Sequence, residues 1–146
     1  MQMNPKQLDA DETKDRIQKA FEKIPFVSFG TFGANGWPNV RVLLVAERDS
    51  VETIWFATET TSSKIAELKE NPKAIIYGYD PEPMLEFRLF GKVEMLTDSA
   101  SRRKIWKDEY IEYFPDGIDS PNMVVLRFDT ESGVFDCYEK ETGKFY

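Results

Sequence analysis

The stretch that decides the fold is WFATETTSSKIAELKENP, which runs from Trp55 to Pro72. It opens with an aromatic and aliphatic run ending at Ala57, which predicts a strand. After a polar turn, Ser62 is a suitable N-cap for a short helix over residues 63–70. Pro72 ends that helix, because the residue before a proline disfavours the helical conformation. The stretch therefore predicts a strand, a tight turn and a helix start, in that order.

Lys64 is the unusual residue of this helix start. It lies in the first turn, where free backbone N–H groups carry partial positive charge and an acidic residue is favoured. With the hydroxyls of Thr58, Ser62 and Ser63, a lysine here can form a cradle for a phosphate group. A solvated lysine behind an ordinary serine cap gives the same pattern, and the stretch alone does not separate the two interpretations.

A second candidate cation is Arg41, on the predicted strand NVRVLLVA over residues 39–46. Alternation places Val42 on one face and Arg41 with Leu43 on the other. Both faces are otherwise apolar, so we expect one to be covered by the core and one by a helix or a second subunit. A buried guanidinium needs an anionic partner. A protein carboxylate and a ligand phosphate both remain open at this point.

The composition bounds the class of protein. The chain has 146 residues, is 41% hydrophobic and carries a net charge of -7, which suits one globular domain and argues against a general nucleic-acid or anionic-membrane surface. No apolar run approaches the roughly 20 residues of a membrane helix, and the polar N-terminus is not a signal peptide. Cys137 is the single cysteine, which excludes an internal disulfide and fits a reducing cytoplasm.

The sequence contains no histidine. This excludes Ser-His-Asp and Cys-His catalysis, HExxH zinc sites and haem ligation by histidine. A carboxylate-only Mg²⁺ or Ca²⁺ site stays possible, but no DxDxDG-like run supports one, so no metal site is predicted.

The remaining pattern predicts a mainly β (α+β) domain with six to seven antiparallel strands in a small barrel and helices outside it. Helices are predicted over residues 11–24 and from Asp98 or Ser99 to Tyr110, and a turn over residues 47–52. The tail over residues 139–146 reads as polar. The predicted strands cover residues 26–32, 39–46, 54–57, 74–80, 84–96 with a bend at Gly91, 123–128 and 134–138.

Taken in order, several short motifs resemble the pyridoxamine 5′-phosphate oxidase-like superfamily of FMN-binding split barrels. These are Arg41-Val42-Leu43-Leu44, Phe56-Ala57-Thr58, Ser63-Lys64 with Ala66 and Leu68, Asn71-Pro72, the hairpin FVSFGTFGANGWPNVRV and the later RLFGKV. The resemblance spans residues 26–128. It is closer to the bacterial general stress proteins of that superfamily, through Trp55, Thr58, Lys64 and Trp106.

The resemblance implies a single FMN-binding split-barrel domain over residues 1–146, with the barrel over 26–138. It implies that Arg41, Ser63 and Lys64 hold the FMN phosphate, and that backbone groups of Val42 and Leu43 run along the flavin. The remaining candidate cofactor contacts are Ala57, Thr58, Ser62 and Glu86, the last at a position where the oxidases have a glutamine.

The resemblance also implies a homodimer with flavin at the interface and an FMN-dependent oxidoreductase, with a nicotinamide nucleotide as a possible donor and no assigned catalytic residue. The oxidase's C-terminal arginine-and-histidine substrate motif is absent, so vitamin B6 oxidation is not expected. The alternatives are a flavin-binding or sensing module without turnover, a split barrel for another cofactor such as a deazaflavin or, with less support, haem, and a structural barrel whose Arg41 pairs with an acidic residue.

Overall fold

A computed structural model of the chain describes residues 4–138 and 140–146. Within them lie nine strands, three α-helices and a 3₁₀ helix at Asp108–Glu112. The α-helices are α1 (Ala10–Glu22), α2 (Ser63–Glu70) and α3 (Ser99–Ile105). The strands are β1 (Lys6–Leu8), β2 (Phe26–Phe32), β3 (Pro38–Leu44), β4 (Glu47–Ser50), β5 (Thr53–Glu59), β6 (Lys73–Asp80), β7 (Leu85–Leu96), β8 (Met123–Cys137) and β9 (Glu141–Phe145).

The strands form one sheet whose order is β1-β9-β8-β7-β6-β2-β3, and the β4–β5 hairpin joins it through β8. Neighbouring strands are antiparallel except for the parallel pair β1 and β9. Along one edge β8 pairs with β7, whereas its other edge pairs first with β5 and then with β9. The sheet therefore divides along β8, and the predicted mainly β, antiparallel class is confirmed.

The predicted helix start at Ser62 is confirmed, since Ser62 is the N-cap of α2. The first helix begins slightly earlier than predicted because Asp9 and Glu12 form a reciprocal capping box. The prediction for the third helix was too long. Asp98 caps it, but Trp106 adopts an extended conformation that ends it at Ile105. Tyr110 belongs to the separate 3₁₀ helix, Asp108–Glu112.

The turn predicted over residues 47–52 was partly wrong, because β4 occupies its first four residues and pairs with β5. Charged residues can lie on this strand because the Arg48 guanidinium stacks over the Phe21 ring and donates to the Ile24 carbonyl at 2.6 Å. The tail predicted only as polar contains β9, which extends the sheet beside β8; Glu139, at the start of that tail, lies outside the described residues.

The two last strands predicted at 123–128 and 134–138 are one strand, β8. The chain does not turn at residues 131–133 because Ser132 and Gly133 stay paired with β7 through a bulge opposite Phe90 and Gly91. Gly133 is required there, since an added Cβ would lie 2.5 Å from the Phe145 ring of β9. The bend predicted at Gly91 coincides with that bulge.

The main core lies between α1, α2 and the inner face of the sheet. Aromatic rings fill its centre, with ring centroids 5.3 Å apart for Phe29 and Phe56 and 5.2 Å apart for Phe21 and Phe87. A second apolar cluster lies beneath α3 and the 3₁₀ helix. It consists of Ala46, Trp55, Ile105, Tyr110, Phe114, Met123 and Val125.

Candidate functional site

The start of α2 holds a lysine and a serine against each other. The Lys64 ammonium donates to the Ser62 hydroxyl at 2.7 Å, and the same oxygen accepts the Lys64 backbone N–H at 3.4 Å. Lys64 is only 7% exposed, and the first turn of α2 has no acidic residue. Lys64 is therefore not freely solvated, which contradicts the alternative of a solvated lysine behind an ordinary serine cap.

The pKa of Lys64 lies below its ordinary value. Burial is the main cause because it disfavours the charged ammonium, and the nearby positive charge of Arg41 adds to it. The carboxylates of Glu59 and Glu67 oppose the shift. The two candidate cations lie on the same side of the molecule, because Arg41 pairs with Glu67, which follows Lys64 by one turn on α2.

Arg41 points from β3 toward α2 and pairs with a carboxylate. Its Nη2 donates to Glu67 Oε1 at 2.8 Å, and its Nη1 donates to the Thr31 hydroxyl at 2.7 Å. Of the two partners left open by the sequence, the structure shows the protein carboxylate. Glu67 was not among the predicted site residues, although its position one turn after Lys64 on a short amphipathic helix was a usable signal.

Glu67 is 6% exposed and accepts hydrogen bonds from three side chains, those of Thr31, Asn39 and Arg41. Burial pushes the pKa of its carboxyl upward, but these bonds and the charge of Arg41 outweigh burial, so the pKa lies below the ordinary value. Glu67 is therefore ionised at neutral pH and ties α2 to β2 and β3.

A cleft of about 620 Å³ opens beside this helix start. On one side it is lined by Ala57, Thr58, Ser62 and Lys64. The lining continues with Glu59, Thr61, Phe26, Leu44, Tyr110, Tyr113 and Phe114. The aromatic wall was missed by sequence analysis, and its one signal was the clustering of Tyr110, Tyr113 and Phe114 after the third predicted helix.

Five of the candidate residues lie outside the described cleft lining. Arg41 contacts Glu67, Ser63 is exposed, and Val42 is 65% exposed on the outer face of the sheet. Leu43 packs partly buried against the core. Glu86 lies on β7, where its carboxylate accepts the Tyr77 hydroxyl at 2.5 Å.

Chemically, the site offers an ammonium, hydroxyls and helix N–H groups on one side of a cleft whose opposite side is aromatic and apolar. This is a donor set for a phosphate ester that carries an apolar or aromatic body. Among the described residues, no group of three or more Cys, Asp or Glu side chains is placed to hold a metal ion. None of the helices in the described part of the chain combines the length and apolar character needed to cross a bilayer.

The divided sheet with its helix-start cleft defines a split-barrel protein, and comparison with known proteins gives its family. The family model described as pyridoxamine 5′-phosphate oxidase matches residues 13–137. The chain therefore belongs to the pyridoxamine 5′-phosphate oxidase family, and the resemblance predicted from the sequence motifs is confirmed.

The chain is similar to three known proteins. General stress protein 26 of Bacillus subtilis is 32% identical over 82 residues, which are 54% of this chain and 58% of that protein, little more than half its length. A crystal structure of a Clostridium acetobutylicum protein, described as related to general stress protein 26, is 30% identical with a TM-score of 0.82, over 92% of this chain and 94% of that one. A Nostoc punctiforme protein, described as pyridoxamine 5′-phosphate oxidase-related and FMN binding, shares the fold with a TM-score of 0.62 at 20% identity, over 84% and 82% of the chains.

Proposed function

We propose that this protein binds FMN in the cleft beside α2 and acts as an FMN-dependent oxidoreductase related to general stress protein 26. The observation that carries the proposal is the buried Lys64 ammonium, held by Ser62 at the mouth of the aromatic cleft. The FMN-binding description of the Nostoc punctiforme protein supports the same ligand.

The residues present fit FMN, which joins a phosphate to a planar ring system. Lys64, Ser62 and the N–H groups of α2 would hold the phosphate, with Thr58 beside them and Arg41 adding positive charge from β3. The cleft volume lies within the range of small-ligand sites, roughly 300–1,000 Å³. Tyr110, Tyr113 and Phe114 would shield the ring from water.

When bound, FMN supplies the hydride and electron transfer chemistry, and the protein supplies binding, orientation and electrostatics. A side-chain acid or base is not required for hydride transfer, so the lack of histidine is no objection. The proposed donor is a reduced nicotinamide nucleotide. Vitamin B6 oxidation is not proposed, because the histidine of the oxidase's substrate motif has no counterpart in this chain.

We further propose a homodimer formed through the outer face of the sheet. Val40 and Val42 of β3 are 67% and 65% exposed, and the strand register continues their rows across Gly30 and Ser28 of β2 to Ile75 and Tyr77 of β6. An exposed apolar face of this extent is typical of an interaction surface. A second copy fits because Phe26 and Leu44, on the same outer face, also line the cleft, so the partner would complete the cofactor site.

The test is flavin binding by the purified protein. Wild type should take up FMN, and the double variant Arg41→Ala/Lys64→Ala should raise the dissociation constant about 100-fold or more, since charge-assisted hydrogen bonds are lost. Lys69→Ala, on the exposed side of α2, is the matched control and should leave the affinity unchanged. Equal FMN affinity in wild type and the double variant would reject the site.

The Arg41–Glu67 ion pair favours a second interpretation, in which the barrel is structural and Arg41 only neutralises a buried carboxylate. That interpretation expects no measurable FMN uptake by wild type. Anaerobic addition of NADH or NADPH then separates an enzyme from a flavin-binding or sensing module, because only an enzyme with that donor bleaches its flavin. Titration with a deazaflavin tests the remaining cofactor alternative.

A further inference from the structure

Glu67 occupies the junction between the two candidate phosphate-binding cations. It lies on α2 one turn after Lys64, and its carboxylate accepts Arg41 Nη2 at 2.8 Å and the Thr31 hydroxyl at 3.2 Å. Its other oxygen accepts the Asn39 side-chain amide. One buried carboxylate thus joins the helix that carries Lys64 to the strand that carries Arg41.

The orientation of Arg41 depends on this carboxylate. Apart from Glu67, its described contacts are the Thr31 hydroxyl at 2.7 Å and the carbonyls of Phe29 and Asn39, both at 3.4 Å. The carbonyl contacts are at the limit of useful hydrogen bonds. Thr31 is itself bound to Glu67, so the two best partners of the guanidinium form one unit.

The charge of Glu67 acts against anion binding, which makes its placement informative. Arg41 and Lys64 each contribute a positive charge, and Glu67 cancels one of them directly between the two elements. If electrostatic attraction alone determined the affinity for an anion, the site would bind more tightly without this carboxylate. If the affinity depends on the mutual placement of two cations, the carboxylate strengthens binding, because the two like charges otherwise repel each other and separate.

We propose that Glu67 is a positioning residue for the phosphate group, an inference that rests on the proposed function. It holds the Arg41 guanidinium and the Lys64 helix start at a fixed separation, so that a single phosphate meets both. The affinity for phosphate that is gained by fixing the two cations exceeds the affinity that is lost to the negative charge of Glu67. Glu67 itself does not contact the phosphate.

The experiment compares FMN with riboflavin, which has the same ring and no phosphate. Dissociation constants of both ligands are measured by flavin fluorescence for wild type, Glu67→Gln and the exposed control Glu70→Gln. A glutamine cannot accept all three hydrogen bonds, because its amide nitrogen is a donor. We expect Glu67→Gln to weaken FMN binding about tenfold and leave riboflavin binding unchanged, whereas Glu70→Gln changes neither.

Two further variants make the test independent of how well Glu67→Gln folds. Thr31→Val removes the hydroxyl that links Glu67 to Arg41. It should raise the dissociation constant of FMN severalfold and leave that of riboflavin unchanged. In an Arg41→Ala background, Glu67→Gln should no longer change the FMN to riboflavin ratio, since a residue that acts through Arg41 has nothing left to position.

The possible outcomes separate clearly. Unchanged or tighter FMN binding by Glu67→Gln means that charge dominates and the inference is wrong. Equal weakening of FMN and riboflavin means that Glu67 only docks α2, which also overturns it. If wild type binds no FMN, the proposed function fails and the positioning role fails with it; if wild type binds FMN and depends on Lys64, only the role of Glu67 is in question.

Discussion

The Ser62 hydroxyl lies 2.7 Å from the Lys64 ammonium and is also the N-cap acceptor of α2. One small side chain therefore begins the helix and restrains the cation that follows it. Because the two roles share one oxygen atom, any change at Ser62 affects both the stability of the helix and the placement of the charge.

Replacement of Ser62 by alanine should destabilise the protein. Loss of an N-cap typically costs about 1 kcal/mol, and the buried Lys64 ammonium loses its hydroxyl partner as well. Ser63→Ala is the matched control, because Ser63 is exposed and does not cap α2. Urea unfolding of the two variants should show a lower midpoint for Ser62→Ala only; a similar shift for both would contradict the capping role.

Tyr77 should titrate abnormally at high pH. The pKa of Tyr77 is raised to about 12, mainly because its hydroxyl donates a hydrogen bond to the Glu86 carboxylate. Burial is the second cause. The folded state thus keeps a proton that the unfolded chain loses near the ordinary value of 10.0, so stability falls as pH rises between these values.

Ultraviolet absorbance measured against pH checks this assignment. Wild type should show late phenol ionisation from Tyr77 and from Tyr110, whose pKa is also raised, mainly by burial. Glu86→Gln should move only the Tyr77 ionisation back toward the ordinary value. Identical titration curves for the two proteins would show that the Tyr77–Glu86 bond is not what shifts the pKa.

Arg102 should be essential for stability although it pairs with no carboxylate among the described residues. Its guanidinium, buried beneath α3, donates to four backbone carbonyls, those of Thr97, Ile118, Ser120 and Met123, at 2.7–3.0 Å. Arg102→Ala should lower the free energy of unfolding by about 3 kcal/mol or more, because buried carbonyls lose their hydrogen-bond donors. The neighbouring Arg103 is exposed, so Arg103→Ala should be nearly neutral in the same denaturation experiment.

The proposed dimer gives a prediction about assembly. Val42→Glu places a charge in the middle of the exposed apolar face and should shift the protein from dimer to monomer in sedimentation velocity. Ile111→Glu is a fair control, because Ile111 is an exposed apolar residue on the 3₁₀ helix rather than on the sheet. A monomeric wild type, or a Val42→Glu variant that stays dimeric, would rule out this face as the interface.

The elements that were predicted correctly have local determinants. The strand, turn and helix between Trp55 and Pro72 follow from a proline, a serine cap and a run of apolar residues, and the structure reproduces them. Arg41 and Lys64 were selected as candidate cations because a charge on an apolar face and a lysine in a first turn conflict with simple rules, and their role in binding stays a prediction.

What could not be predicted depends on distant contacts. The continuity of β8 depends on its pairing with β7 and β9, so a local turn signal at residues 131–133 was misleading. The helical position of Glu67 indicated that it lies near Lys64, but its ion pair and hydrogen bonds involve donors on β2 and β3 that the local sequence does not reveal. Likewise, Tyr110 belongs to a buried cluster that also contains Trp55 and Met123, which come from other parts of the chain.

The placement of β8 has a consequence for biosynthesis. The Arg41–Glu67–Lys64 group lies wholly within the first half of the chain, whereas β5, which carries Ala57 and Thr58, has its main partner strand near the end. A nascent chain emerging from the ribosome therefore exposes Arg41, Glu67 and Lys64 before the aromatic wall of the cleft, at residues 110–114, has been translated. Under the proposed function, FMN would bind only once the last strands are in place, and until then the edge of β5 that β8 covers is open to pairing with other chains.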